Sequence, residues 1–139
     1  MNWIIFALGA IGSGAISDLF RKLGSNLKDP FFSNLIFQTG TFATAIILYL
    51  IFSRKTEGNH NGMLYAFIGG VLISIFTTFS FKALGDGPGV STVIPVIRIG
   101  VVLLVAILGV LLFKDKLTWN IVVGVLLATA GVYILTLNK

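Results

Sequence analysis

The chain has 139 residues, 56% of them hydrophobic and only 11% charged, with a mean hydropathy of +1.00; soluble domains carry about a quarter charged residues, so an ordinary water-soluble fold is excluded. No cysteine is present, which removes disulfides, thiol chemistry and cysteine metal sites. The net charge of +5 could suggest nucleic acid, but the ten Lys and Arg residues are scattered in ones and twos between apolar runs, and membrane loops account for them better.

Apolar segments separated by short polar punctuation follow one another along the chain. About 20 mostly apolar residues cross the hydrocarbon core as a helix, and each segment reaches that length. Segment one covers about 3–22 and ends in the Arg21-Lys22 pair. No basic residue precedes its apolar run, so it does not read as a cleavable signal. Asp29-Pro30 then gives an N-cap with proline at the first helical position, opening segment two over 30–52. A polar loop from Ser53 to Asn61 holds Gly58 and the lone histidine, His60, which reads as solvated. Segment three spans 62–82, with Lys82 marking its end, and the Gly85-Asp86-Gly87-Pro88 turn leads into segment four, 88–113. After Lys114-Asp115-Lys116, Thr118 can cap segment five, 118–137. Barrel strands would be about half as long and would alternate in polarity. The expected fold is an all-α integral membrane protein of five transmembrane helices over a single domain, 1–139.

Small residues recur at the four-residue spacing that lets membrane helices approach closely: Gly9, Ser13 and Ser17; Ala10 and Gly14; Gly70, Ser74 and Thr78; Gly124 and Ala128. These rows read as ordinary helix–helix contacts rather than sites. Trp3, Tyr49, Tyr65 and Trp119 sit near segment ends and read as interface anchors.

Arg98 is the most informative residue. It lies ten residues into an apolar stretch, Pro88 to Phe113, that holds no carboxylate. At 1.5 Å per residue it is about 15 Å from the Pro88 end, near the bilayer midplane. A charge there costs at least about 2.5–3.5 kcal/mol and usually faces a protein interior or a water-filled cavity. Pro95, three residues earlier, lacks an amide hydrogen and would leave a carbonyl free beside that charge; packing alone is the other reading. Asp18 is the one carboxylate near a span able to approach Arg98, and is expected either to pair with it or to lie at the interface. Asn34, Gln38 and Thr41 form a polar stripe on segment two, and Ser74, Thr77 and Thr78 can do the same on segment three. Such stripes line a cavity or hydrogen-bond between helices.

Catalysis finds little footing. No histidine lies near a span, no helix face carries paired carboxylates, no nucleophile–base set stands out, and the glycine pattern of a P-loop is missing from the sequence. No catalytic residue, metal ligand or cofactor is expected. Transport, if that is the activity, would run on gradients, exchange or facilitated diffusion.

Loop charges give a second clue. With five spans the termini lie on opposite faces, placing Arg54, Lys55, Lys114 and Lys116 on one and Arg21, Lys22, Lys28, Lys82 and Lys139 on the other. The positive-inside rule needs an excess on one side, and four against five supplies almost none. Insertion in both orientations, and an antiparallel dimer, would follow.

In order along the chain stand Ala83-Leu84-Gly85, Ile94-Pro95, Ile99, the bulky run Leu108-Gly109-Val110-Leu111-Leu112-Phe113, Lys114-Asp115-Lys116-Leu117-Thr118, Gly124, and Gly131-Val132-Tyr133-Ile134-Leu135. This set resembles the end of an EamA repeat of the drug/metabolite transporter (DMT) superfamily, and the resemblance extends over essentially the whole chain. Asp115 departs from the pattern, which usually has glutamate. The resemblance implies half of a ten-helix transporter whose other half is an inverted repeat, with substrate near the midplane between them. Here the second half would be another copy, giving a homodimer, antiparallel by preference.

The expected function is therefore a secondary transporter in the cytoplasmic (inner) cell membrane. It would move a small anionic or carboxylate-bearing metabolite through a midplane cavity of the dimer, with Arg98, Asn34, Gln38, Ser74 and Pro95 as substrate-binding residues and Asp18 as charge partner. Its partners would be the substrate, the lipid bilayer and a second copy, not nucleic acid. The alternatives are a non-transporting membrane subunit and a subunit of a lipid-linked sugar flippase.

Overall fold

The computed structural model describes residues 3–27, 29–53, 60–114, 116 and 118–137, apart from the side chains of Trp3, His60 and Leu135. These residues form helices α1 (Trp3–Gly24), α2 (Pro30–Phe52), α3 (His60–Asp86), α4 (Val90–Phe113) and α5 (Trp119–Leu137), with a 3₁₀ turn at Ser25–Leu27. Among the described residues the fold is all-helical, as expected. Four helices are long and apolar enough to cross a membrane, whereas the apolar stretch in α5, Trp119–Ile134, is shorter. The whole of α5 has 19 residues, about 28 Å at 1.5 Å per residue.

Helix ends follow local chemistry. The side chain of Asp29 accepts from the Phe31 amide at 2.9 Å, and Pro30 opens α2 where a missing N–H costs nothing. At α5 the carbonyl of Thr118 accepts from the Ile121 and Val122 amides. Lys114 closes α4 in the left-handed conformation (φ 56°) and donates its amide to the Gly109 carbonyl. Glycine normally fills that position because a Cβ is crowded there.

Several boundaries differ from the sequence expectation. α1 continues past Arg21-Lys22 to Gly24, which leaves the pair in its last turn, and α3 continues a further turn past Lys82 to Asp86. His60 is the first residue of α3 rather than part of a loop. Capping partners at Leu84 and Ser25, described below, hold the extra turns. The expectations for Lys28, Arg54, Lys55, Gly58, Asp115 and Lys139 fall outside the described residues.

Within the span read as one domain, the helices group into two compact units, Met1–Asp86 and Gly87–Lys139. In the first, α3 is the central element and packs on both α1 and α2. Its interior is polar: among the described residues Asp18, Arg21, Ser33, Asn34, Thr77 and Ser80 are buried, joined by two apolar side chains, Phe81 and Leu84. Leucine, isoleucine and phenylalanine face outward along α1–α3. That is the arrangement a bilayer selects, since lipid accepts apolar surface freely while each buried polar group needs a partner. All the buried positions lie toward one end of the helices. The remainder of α2 from Thr39 to Phe52 and of α3 from Asn61 to Ile73 is exposed. In the second unit α4 packs on α5.

Among the described residues, the glycines of the small-residue rows are not helix contacts, whereas Ser74 of one row meets α2 through Asn34. A Cβ built on Gly9, Gly14, Gly70 or Gly124 would meet nothing within 4 Å. The hydroxyl of Ser13 folds back onto the Gly9 carbonyl at 2.8 Å.

Candidate functional site

The closed end of the first unit is built where α1 leaves, turns and returns as α2. Ser33, on the first turn of α2, donates its hydroxyl to the Gly24 carbonyl (3.0 Å) or the Asp29 carbonyl (2.9 Å). The Ser25 hydroxyl donates to the Lys22 carbonyl at 2.7 Å. Lys22 reaches across to donate its ammonium to the Leu84 carbonyl, 2.5 Å away, in the last turn of α3. Cations favour that position because the terminal carbonyls of a helix lack amide partners and carry its negative pole.

Arg21 and Asp18 form the charged element. Their side chains are one helical turn apart on α1, with Nη1 of Arg21 3.1 Å from Oδ1 of Asp18, and both are buried. The guanidinium also lies over the ring of Phe37 on α2, 5.1 Å from its centroid. Phe37 meets Phe81 of α3 edge-on at 5.7 Å. One chain of contacts, carboxylate to guanidinium to ring to ring, thus joins all three helices. A cation over an aromatic face gains from the ring quadrupole, more so away from water.

Next to it stands a hydrogen-bonded ladder between α2 and α3. Asn34 donates through Nδ2 to the Ser74 hydroxyl (3.1 Å) and accepts at Oδ1 from the Thr77 hydroxyl (2.6 Å). Gln38 donates through Nε2 to the Thr77 oxygen at 3.0 Å and accepts at Oε1 from the Thr41 hydroxyl at 2.9 Å. Thr77 has a single proton. The carbonyls of Ile73 and Ser74, each 2.9 Å away, compete for it, but Asn34 Oδ1 is nearest. The orientation of both amides follows from this network. From the first residue of α2, Asn34, Gln38 and Thr41 lie about 6, 12 and 16 Å deep at 1.5 Å per residue. The ladder therefore runs from near the membrane surface to about mid-depth. Its shallow end, at Asn34 and Thr77, is sealed, whereas its deep end at Thr41 is exposed.

Of the residues expected to bind substrate, Asn34, Gln38 and Ser74 are brought together, with Thr41 and Thr77 of the two stripes. Thr78 instead donates back to the Ser74 carbonyl at 3.1 Å. Arg98 and Pro95 belong to the second unit and are described with it. Pro95 sits inside α4, which continues through it, and its missing N–H withdraws the intrahelical donor of the Ser91 carbonyl. Arg98 is the ninth residue of α4 and has an exposed side chain. Because α4 starts at Val90 rather than Pro88, Arg98 lies about 12 Å from the helix start instead of about 15 Å. Asp18, expected near Arg98 or at the interface, is buried and ion-paired with Arg21.

Arg21, Phe37 and Phe81 were not singled out from the sequence. The available signal was the Asp18-x-x-Arg21 spacing, since residues three apart on a helix are neighbours. Arg21 had been counted as a loop charge because it directly follows the apolar run and precedes another cation. Tyr49, Tyr65 and Trp119 are exposed near helix ends, which fits interface anchors.

Apolar helices turned outward around an inward polar cluster define a multi-pass integral membrane protein whose hydrogen-bonding groups are gathered at membrane depth. The EamA-like transporter family model matches residues 1–137. The chain belongs to that family, within the DMT superfamily, and its 139 residues fit the size of a single repeat. No curated protein and no solved structure matches it.

Proposed function

We propose that the chain is a subunit of a dimeric secondary transporter in the cytoplasmic membrane, moving a small anionic or carboxylate-bearing metabolite by gradient coupling or exchange. The observation that carries this reading is the Asn34–Gln38–Thr77–Ser74 ladder. It places amide and hydroxyl groups at membrane depth and ends at an exposed Thr41. Polar groups at that depth are costly unless partnered or wetted, and they mark substrate pathways. The charge selectivity is assigned to Arg98: a guanidinium offers a rigid fork of donors that matches a carboxylate bidentately.

A second copy is proposed to supply the inverted half of the cavity. Open space over Gly9, Gly14 and Gly124 supports this, because glycines in such rows permit close backbone approach and no described residue of their own unit lies against them. Weak orientation supports it further. With Arg21 buried in an ion pair, the face that had one more cation loses it, and the two loop faces carry equal numbers.

The test is a ligand panel of carboxylates, phosphates, amines and neutral sugars, scored by thermal shift on purified protein and by uptake into vesicles. Carboxylates or phosphates should stabilise the parent. Arg98→Ala should insert at least as well, since it removes about 2.5 kcal/mol or more of insertion cost, yet lose ligand and transport. Arg98→Lys should recover part of both, keeping charge but not the fork. Normal binding and transport in Arg98→Ala would overturn the assignment, and a monodisperse monomer that still transports would overturn the dimer.

A further inference from the structure

We propose that the closed end of the first unit carries a binding site for a zwitterionic aminophospholipid, with its phosphate on Lys82, its ammonium on Asp86 and one acyl chain in the groove between α2 and α3. The inference goes beyond transport and uses no residue of the ladder.

Two cavities meet at Lys82. The larger, about 590 Å³, is lined by Ser25, Asn26, Pro30, Lys82, Gly85 and Asp86, with Phe81 at its back. The smaller, about 270 Å³, is lined by Pro30, Phe31, Ile75, Thr78, Phe79 and Lys82. Pro30 and Lys82 border both, so a polar pocket continues into an apolar groove. Depth orders them. Asp86 is the last residue of α3 and Lys82 lies one turn further in, about 6 Å along the axis. Phe79 and Ile75 lie about 4.5 and 10 Å deeper again at the same rise. Moving into the membrane, a ligand therefore meets a carboxylate, then an ammonium, then apolar surface.

A phospholipid with an amine headgroup presents the complementary sequence: ammonium outermost, phosphate next, acyl chains deepest. An anionic lipid that lacks the amine would find Lys82 but would place its outer headgroup against the Asp86 carboxylate. Among the described residues neither Lys82 nor Asp86 forms an ion pair. They are four residues apart on one helix in the weaker cation-first order. Both charges are thus available to a ligand rather than spent on each other. The four-carbon stem of Lys82 can lie along the groove while its head stays in the pocket, and the Asn26 amide can donate to a phosphate oxygen. At the α2 terminus Pro30 has no amide and Asp29 already holds that of Phe31.

The test uses purified full-length protein in a neutral detergent, titrated with phosphatidylethanolamine, phosphatidylglycerol of matched chains, and chain-free phosphoethanolamine. Lipid retention is followed by native mass spectrometry and by melting temperature. Phosphatidylethanolamine should bind roughly tenfold more tightly than phosphatidylglycerol, equivalent to about 1.4 kcal/mol. Asp86→Asn should bring the two lipids level, and Lys82→Gln should weaken both. Both positions are exposed, and variants that melt with the lipid-free parent confirm an intact fold. Equal binding of the two lipids by the parent, an unchanged preference in Asp86→Asn, or unchanged affinity in Lys82→Gln would each overturn the proposal. Chain-free headgroup binding as tightly as intact lipid would show a water-soluble ligand and overturn the lipid assignment.

Discussion

Among the described residues, the first unit buries six polar or charged side chains and two apolar ones, whereas α4 buries none and α5 none. The contrast reflects what each sequence offers rather than helix length. α1–α3 carry Asp18, Arg21, Asn34, Gln38, Ser74 and Thr77 within their spans, and each of these lies against another polar group. α4 and α5 are almost wholly apolar, and in lipid an apolar surface has no reason to leave the solvent. Polar content, not hydrophobicity, decides which membrane helices acquire an interior. Arg98 is the exception in the second unit, the one charged residue within its two helices.

The ion pair is where this contrast breaks hardest. Asp18→Asn removes the carboxylate that pairs with the buried Arg21, and Arg21→Met removes the cation that pairs with the buried Asp18. Each single change should cost about 3–5 kcal/mol, while the double variant Asp18→Leu with Arg21→Met should recover most of it, because apolar replacement of a whole pair is often close to neutral. Thermal unfolding of the three variants in one detergent measures this. A double variant as unstable as the sum of the singles would show that the pair is not the unit of stability.

Glycine separates the packed end from the open one. A Cβ at Gly24 would sit 3.3 Å from Cε1 of Phe81, a ring only 3% exposed and held edge-on by Phe37. Crowding of about 1–3 kcal/mol should outweigh the helix gain of at most about 1 kcal/mol, so Gly24→Ala lowers stability by about 1 kcal/mol or more. Gly9 has open space around it, and Gly9→Ala should raise the stability of the isolated chain by about 0.5–1 kcal/mol. Equal responses at the two positions, read as melting temperatures, would mean the packed end is as loose as the open one. In the second unit the comparison sharpens at Lys114. Replacing a left-handed non-glycine residue with glycine should stabilise the end of α4 by up to about 1 kcal/mol. Hydrogen exchange at residues 109–113 would report it as slower opening.

The sequence made the helices legible because apolar run length and the Asp29-Pro30 cap are local signals. It also showed the polar stripes of α2 and α3, since three- and four-residue spacing alone puts Asn34, Gln38 and Thr41 on one face. Less could be read of the partners. Arg21 sits at the edge of a run, where a buried cation and a loop cation look alike apart from the Asp18 spacing, and the approach of Phe37 comes from another helix. The glycines of the small-residue rows were no easier to read. Spacing shows that a backbone can be approached closely, not that anything in the same chain does so. The extra turn of α3 was hidden as well, because one of its carbonyls, that of Leu84, is satisfied by Lys22 from across the sequence.

A further small effect concerns the ladder, and it separates structure from transport. Hydrogen bonds between membrane helices average about 0.6 kcal/mol and reach about 1.7 at most. A double-mutant cycle of Asn34→Ala with Thr77→Val should therefore give a coupling energy of about 0.6–1.7 kcal/mol, toward the upper end because the 2.6 Å contact is buried. Thr77→Ser keeps the hydroxyl and should keep the coupling. If the ladder only glues α2 to α3, uptake should fall no further than the lost stability requires, and Thr77→Ser should transport like the parent. If it binds substrate, Gln38→Leu should abolish uptake while melting close to the parent, since its partner Thr77 still donates to Asn34. Gln38→Leu that transports normally would return the ladder to a packing role and leave Arg98 alone to account for a site.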